Sequence, residues 1–84
     1  MAQIELINLD TDWYEFTPTA GTTYHIQNRG GSIVIAQEAD DEPTDTAGVL
    51  VQPYKTLVYE KGTASALWLR AYSGSATVNV STEA

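Results

Sequence analysis

Ala66-Leu67-Trp68-Leu69-Arg70-Ala71-Tyr72 alternates side chain by side chain. In an extended strand, successive residues point to opposite faces. Leu67, Leu69 and Ala71 therefore form one face, and Trp68, Arg70 and Tyr72 the other. Working outward, the same period of two recurs along the chain, carried by Thr, Val, Ile, Tyr and Trp, which suit a pleated, half-buried surface. Eight strand segments emerge: Ile4–Leu9, Trp13–Thr17, Thr22–Asn28, Ser32–Glu38, Gly48–Gln52, Lys55–Glu60, Ala64–Tyr72 and Ala76–Ser81. No segment shows a capped apolar period of 3.6 residues, so no substantial helix is expected. The fold class is all-β: a small antiparallel β-sandwich, jelly-roll-like, formed by a single domain over residues 1–84.

The connections carry their own signals. Asp10-Thr11-Asp12 suits Asx turns, and Pro18-Thr19-Ala20-Gly21 places a fixed φ before a permissive one. Asn28-Arg29-Gly30-Gly31, Lys61-Gly62 and Ser73-Gly74-Ser75 read as hairpin turns. Within the strands, Tyr24 and Ile26 oppose Thr23, His25 and Gln27, while Ala76, Val78 and Val80 oppose Thr77, Asn79 and Ser81. Both strands are thus expected to be wet on one side. Ile33-Val34-Ile35-Ala36 and Ala66–Tyr72 are instead apolar on both faces. A two-layer sandwich wets its outer faces, so these two need a second cover, supplied either by the chain's own loops or by another subunit.

Composition narrows the function classes. A chain of 84 residues buries only about 60–65% of the surface its unfolded form exposes, and small domains often recruit a disulfide, a metal or a neighbour. There is no cysteine and one histidine, which closes the first route and nearly closes structural zinc. Association with copies of itself or with a larger assembly remains. The net charge is −7, and residues 1–45 hold nine of the eleven acids with Arg29 as their one base. Nucleic acid and anionic membranes would be repelled, so neither is an expected partner. No run reaches the roughly 18 apolar residues of a membrane helix. Met1-Ala2-Gln3-Ile4-Glu5 lacks a secretory leader's basic and apolar regions, so synthesis and assembly in the cytoplasm are expected.

Four groups carry residue types that chemistry could use. Glu38–Asp45 clusters carboxylates, but Pro43 breaks the spacing and the calcium-loop order is missing; it reads as a solvated loop, and no metal is expected. His25 stands on an exposed strand position without a nucleophile motif. Paired carboxylates able to hydrolyse a glycoside need a cleft that so small a domain rarely encloses. Gly30-Gly31 lacks the pattern and the helix of a phosphate loop. The protein is therefore expected to be non-enzymatic, with no cofactor. Trp13, Tyr14, Tyr54, Tyr59, Trp68 and Tyr72 could line a sugar platform, with Trp13 and Trp68 its leading rings, an alternative to packing and interface roles.

Three segments together resemble a known group: Tyr24-His25-Ile26-Gln27-Asn28-Arg29-Gly30, Gly48-Val49-Leu50-Val51-Gln52-Pro53 and Ala66-Leu67-Trp68-Leu69-Arg70-Ala71. Their order, with a closing Val-x-Val strand, is similar to small virion structural proteins of tailed bacteriophages and prophages. These are head-decoration (cement) proteins or β-sandwich modules of tail tips and fibres. Many relatives carry Gly after the Pro of the middle motif, where this chain has Tyr54. The resemblance implies a virion location, capsid or tail proteins as partners, and a homo-oligomer, with a trimer the first state to expect. The expected interface residues are Trp68, Arg70, Tyr72 and Val34. The alternative function is a carbohydrate- or receptor-binding module using Trp13 and Trp68.

Overall fold

The computed structural model of the protein describes residues 2–82, with side chains described from Leu6 onward. Met1, Glu83 and Ala84 lie outside the described residues. Eight strands follow in order: β1 (Ala2–Leu9), β2 (Tyr14–Phe16), β3 (Thr23–Asn28), β4 (Val34–Ala39), β5 (Val49–Val51), β6 (Thr56–Glu60), β7 (Ala66–Ala71) and β8 (Ala76–Thr82). Among the described residues there is no helix. The strands form two four-stranded sheets, β1-β8-β3-β6 and β2-β7-β4-β5, and every pairing is antiparallel.

The pairs β1·β8, β2·β7, β3·β6 and β4·β5 nest inside one another like the rungs of a single long hairpin. That ladder is folded over, so that β8 also meets β3 and β7 also meets β4. This is jelly-roll connectivity. It corrects the reading of three turns. Asn28–Gly31, Lys61-Gly62 and Ser73–Ser75 do not close hairpins; each carries the chain from one sheet to the other. The β4·β5 connection through the acidic segment is the hairpin. The first arch shows the physical reason. Asn28 is fully buried; its amide donates to the carbonyls of Ser32 (2.6 Å) and Val51 (3.0 Å), and its Oδ1 accepts from the Gly30 N–H (3.1 Å). Its backbone N–H reaches the Lys55 carbonyl at 2.9 Å. An asparagine spent in this way pins the arch and the start of the β5–β6 turn together. Two other connections are as the sequence signals: the Asp12 N–H bonds Asp10 Oδ1 at 2.8 Å, and Gly21 takes a φ of 83° in a turn closed by Thr22 N–H to Thr19 O at 3.3 Å.

The core lies between the sheets. Ile26, Val78 and Val80 from one sheet and Val34, Leu69 and Ala71 from the other have no exposed surface. Tyr24 joins it, edge-on to Phe16 with ring centroids 5.0 Å apart, and its hydroxyl accepts the Thr19 N–H at 2.8 Å. The parity of β7 is as the alternation demands, with Leu67, Leu69 and Ala71 inward. The outer faces are less wet than expected. His25, Gln27, Thr77 and Asn79 are half-buried, because they stand on β3 and β8, the two inner strands of their sheet.

The two-faced apolar strands have a cover within the chain. Ile35 points away from the core yet is 0% exposed, and Trp68 is 8% exposed. The Trp68 indole donates to the Ala39 carbonyl at 3.1 Å, and the Arg70 guanidinium stands 5.7 Å from the centre of the Trp13 ring. The acidic segment is not merely solvated. Pro43 is buried, and Asp40 Oδ1 accepts the Ser65 N–H at 2.8 Å, while Asp41, Glu42, Thr44 and Asp45 are exposed.

Candidate functional site

β5 and β6 are the last strands of their respective sheets, and only the turn Gln52–Lys55 separates them. They do not pair with each other, so the sandwich stands open along this side. Two adjoining cavities of about 300 and 240 Å³ occupy the opening and share Val49 and Leu57 in their walls. Leu57 packs against the core from the rim. Val49 is 58% exposed and Leu50 47%. An edge strand also offers unpaired backbone groups, so this short apolar edge is the kind of surface other chains pair with or cover.

Local geometry explains why β5 sits where it does. A Cβ on Gly48 would stand 2.9 Å from both the Ala36 carbonyl carbon and Gln37 Cβ. Glycine alone permits so close an approach of β5 to β4. At the other end, Pro53 is followed by Tyr54 at a φ of 63°, and the Lys55 N–H bonds the Gln52 carbonyl at 3.1 Å. This is the geometry of a type II turn, which ordinarily has glycine in the third position. Tyr54 therefore holds a backbone shape that glycine favours, while its ring is 68% exposed.

Deeper in the larger cavity, Tyr59 of β6 faces Glu38 of β4 from the opposite sheet. Glu38 continues the inward parity of Val34 and Ala36 but reaches the open end, where it is exposed. Tyr59 is 8% exposed, and its hydroxyl makes no hydrogen bond of normal geometry. Burial first, then the Glu38 charge and its attraction for the phenolic proton, push Tyr59 up to about 12. One Glu38 oxygen, Oε1, accepts the Gly62 N–H at 3.2 Å.

The residues expected at an interface from sequence are dispersed. Val34 is in the core with no surface to offer, and Trp68 is covered by its own chain. Arg70 is half-buried, its guanidinium over Trp13 and bonded to the carbonyls of Ala71 (3.0 Å) and Tyr72 (3.5 Å). Of the four, Tyr72 is freely exposed, at 55%. Trp13 is half-buried. Sequence reading missed Val49, Leu50 and Leu57 as site residues, and weighed Tyr59 only among the rings of a sugar platform. The available signal was Val49-Leu50-Val51, three apolar residues in a row that cannot all face one core. Among the described residues no three His, Cys, Asp or Glu side chains gather as metal ligands. Comparison with known proteins finds no matching family model, no matching curated protein and no matching solved structure.

Proposed function

We propose that the protein is a non-enzymatic structural component of a tailed-phage particle, in the first instance a head-decoration protein that stabilises the capsid. It acts by burial against neighbouring subunits along the β5–β6 rim. The observation that carries this reading is the rim itself: Val49, Leu50 and Tyr54 stand 47–68% exposed on an open sandwich edge. Covering apolar surface stabilises by about 25 cal/mol per Å² before association costs are met, and repetition around a symmetric shell adds avidity. Jelly rolls recur in capsid proteins and in lectins, which supports the reading by analogy of fold alone. The acidic surface favours a basic partner, and a trimer is the first self-assembly to look for.

The sugar-binding alternative needs an open ring face. Trp68 lacks one, and Trp13 carries Arg70, so no observation favours it. The test is co-sedimentation with particles that lack the protein. Wild-type protein should attach, and a Val49→Ser, Leu50→Ser double variant should attach at least ten-fold more weakly while melting within a few degrees of wild type. Failure of the wild-type protein to attach to any particle contradicts the reading.

A further inference from the structure

We infer that the larger rim cavity is a receptor for a lysine side chain of a partner protein. The inference depends on the particle reading only for where that lysine comes from. The walls are Ala36, Val49, Leu57 and Leu67, a lining suited to an unbranched aliphatic stem. Polar groups converge at one place, where Tyr59 meets Glu38. The Tyr59 hydroxyl turns its proton toward Glu38 and accepts from no described donor, which leaves a buried acceptor for an occupant to satisfy. The phenol is protonated at neutral pH, as any tyrosine is. Its oxygen then accepts from a ligand while its proton faces Glu38.

The ligand that matches is a donor, charged positively and carried on a flexible chain. An ammonium has three donors and no acceptor. One reaches the Glu38 carboxylate, one reaches Tyr59 Oη, and the third faces water at the open mouth. A guanidinium fits less well, because its planar fork seeks both oxygens of a carboxylate, and Gly62 already holds one. Among the described residues nothing fills the place: Lys61 directs its ammonium to the Gly62 carbonyl at 3.5 Å, and no described lysine or arginine pairs with Glu38. A partner's side chain also accounts for the surroundings better than a free amine does. Val49 and Leu50 flank the cavity with surface that only a macromolecule would cover, and the exposed acids of the neighbouring segment attract a basic one.

The experiment is titration of the isotope-labelled protein with N-acetyl-lysine-N-methylamide, followed by amide chemical shifts. The norleucine analogue, which lacks the ammonium, is the matched probe. Saturable shifts at Ala36, Val49 and Tyr59 are expected with the lysine probe. Glu38→Gln, which keeps an acceptor for Gly62, should weaken binding at least ten-fold, and Tyr59→Phe several-fold. Leu57→Trp, which fills the cavity and leaves the charge, should abolish binding with the remaining spectrum intact. The inference is overturned if the lysine probe gives no saturable shift, if norleucine binds equally well, or if Glu38→Gln binds within two-fold of wild type. A protein that binds the probe but no particle contradicts the particle reading alone. One that attaches to particles and ignores the probe contradicts this inference alone.

Discussion

Asn28 is fully buried, and every polar atom of its side chain is used. Replacing it by Ala strands the Ser32 and Val51 carbonyls and the Gly30 N–H. A buried group left unsatisfied costs about 1–3 kcal/mol, so Asn28→Ala should destabilise by on the order of 3 kcal/mol in urea unfolding. Tyr54 predicts the opposite sign. Its left-handed backbone costs a non-glycine residue about 1–2 kcal/mol, against about 0.5–1 kcal/mol of extra chain entropy for glycine. Tyr54→Gly should therefore stabilise the free protein by about 0.5–1 kcal/mol, and attach to particles less well because the exposed ring is lost. Tyr59 sets a dependence on alkaline pH. Its folded pKa of about 12 lies above the ordinary tyrosine value of 10.0, so the unfolded chain releases the proton first. The stabilisation is complete below pH 10 and is lost as pH rises through about 12. Melting followed across that window should fall less steeply for Tyr59→Phe than for wild type.

β7 separates what holds the fold from what decorates it. Leu69 is 0% exposed in the core, so Leu69→Ala should cost about 2–5 kcal/mol. Arg70→Ala removes a half-exposed ring contact and two bonds to nearby carbonyls, and should cost about 1 kcal/mol or less. Thermal melting of the two variants checks the pair, and an Arg70→Ala loss equal to that of Leu69→Ala would mean the outer face is a second core. The eight strands were legible because alternation writes itself locally, and the inward residues of β3, β7 and β8 followed from it. Which strand pairs with which was not legible. Glycine-rich segments such as Asn28–Gly31 look alike whether they close a hairpin or cross between sheets, and the difference lies in an asparagine whose partners, Ser32 and Val51, are placed by the rest of the fold. The site was hidden for the same reason. Val49 and Leu50 are exposed because β5 ends its sheet, and an edge position is a property of pairing rather than of residue type. Trp68 was misleading because composition identifies an anchor ring but not whether the chain's own segment covers it.

At the scale of the molecule, the edge strands of the two sheets pair on neither side, neither β1 with β2 nor β5 with β6, but the two sides differ in how they are tied. The Ala71 N–H reaches the Asp10 carbonyl at 2.8 Å, tying β7 to the β1–β2 turn, while β5 and β6 part around a cavity. On the proposed reading, a basic partner completes the apolar opening beside Glu38 and the exposed acids of the neighbouring segment. Attachment should weaken steadily with added salt if that charge takes part. The most direct test is electron cryomicroscopy of particles with and without this protein. The expected result is extra density fitting the jelly roll at a fixed position on the capsid, with Val49, Leu50 and Tyr54 against a neighbouring subunit. Density that places the β5–β6 rim in solvent, or no difference between the two kinds of particle, would contradict attachment through that rim.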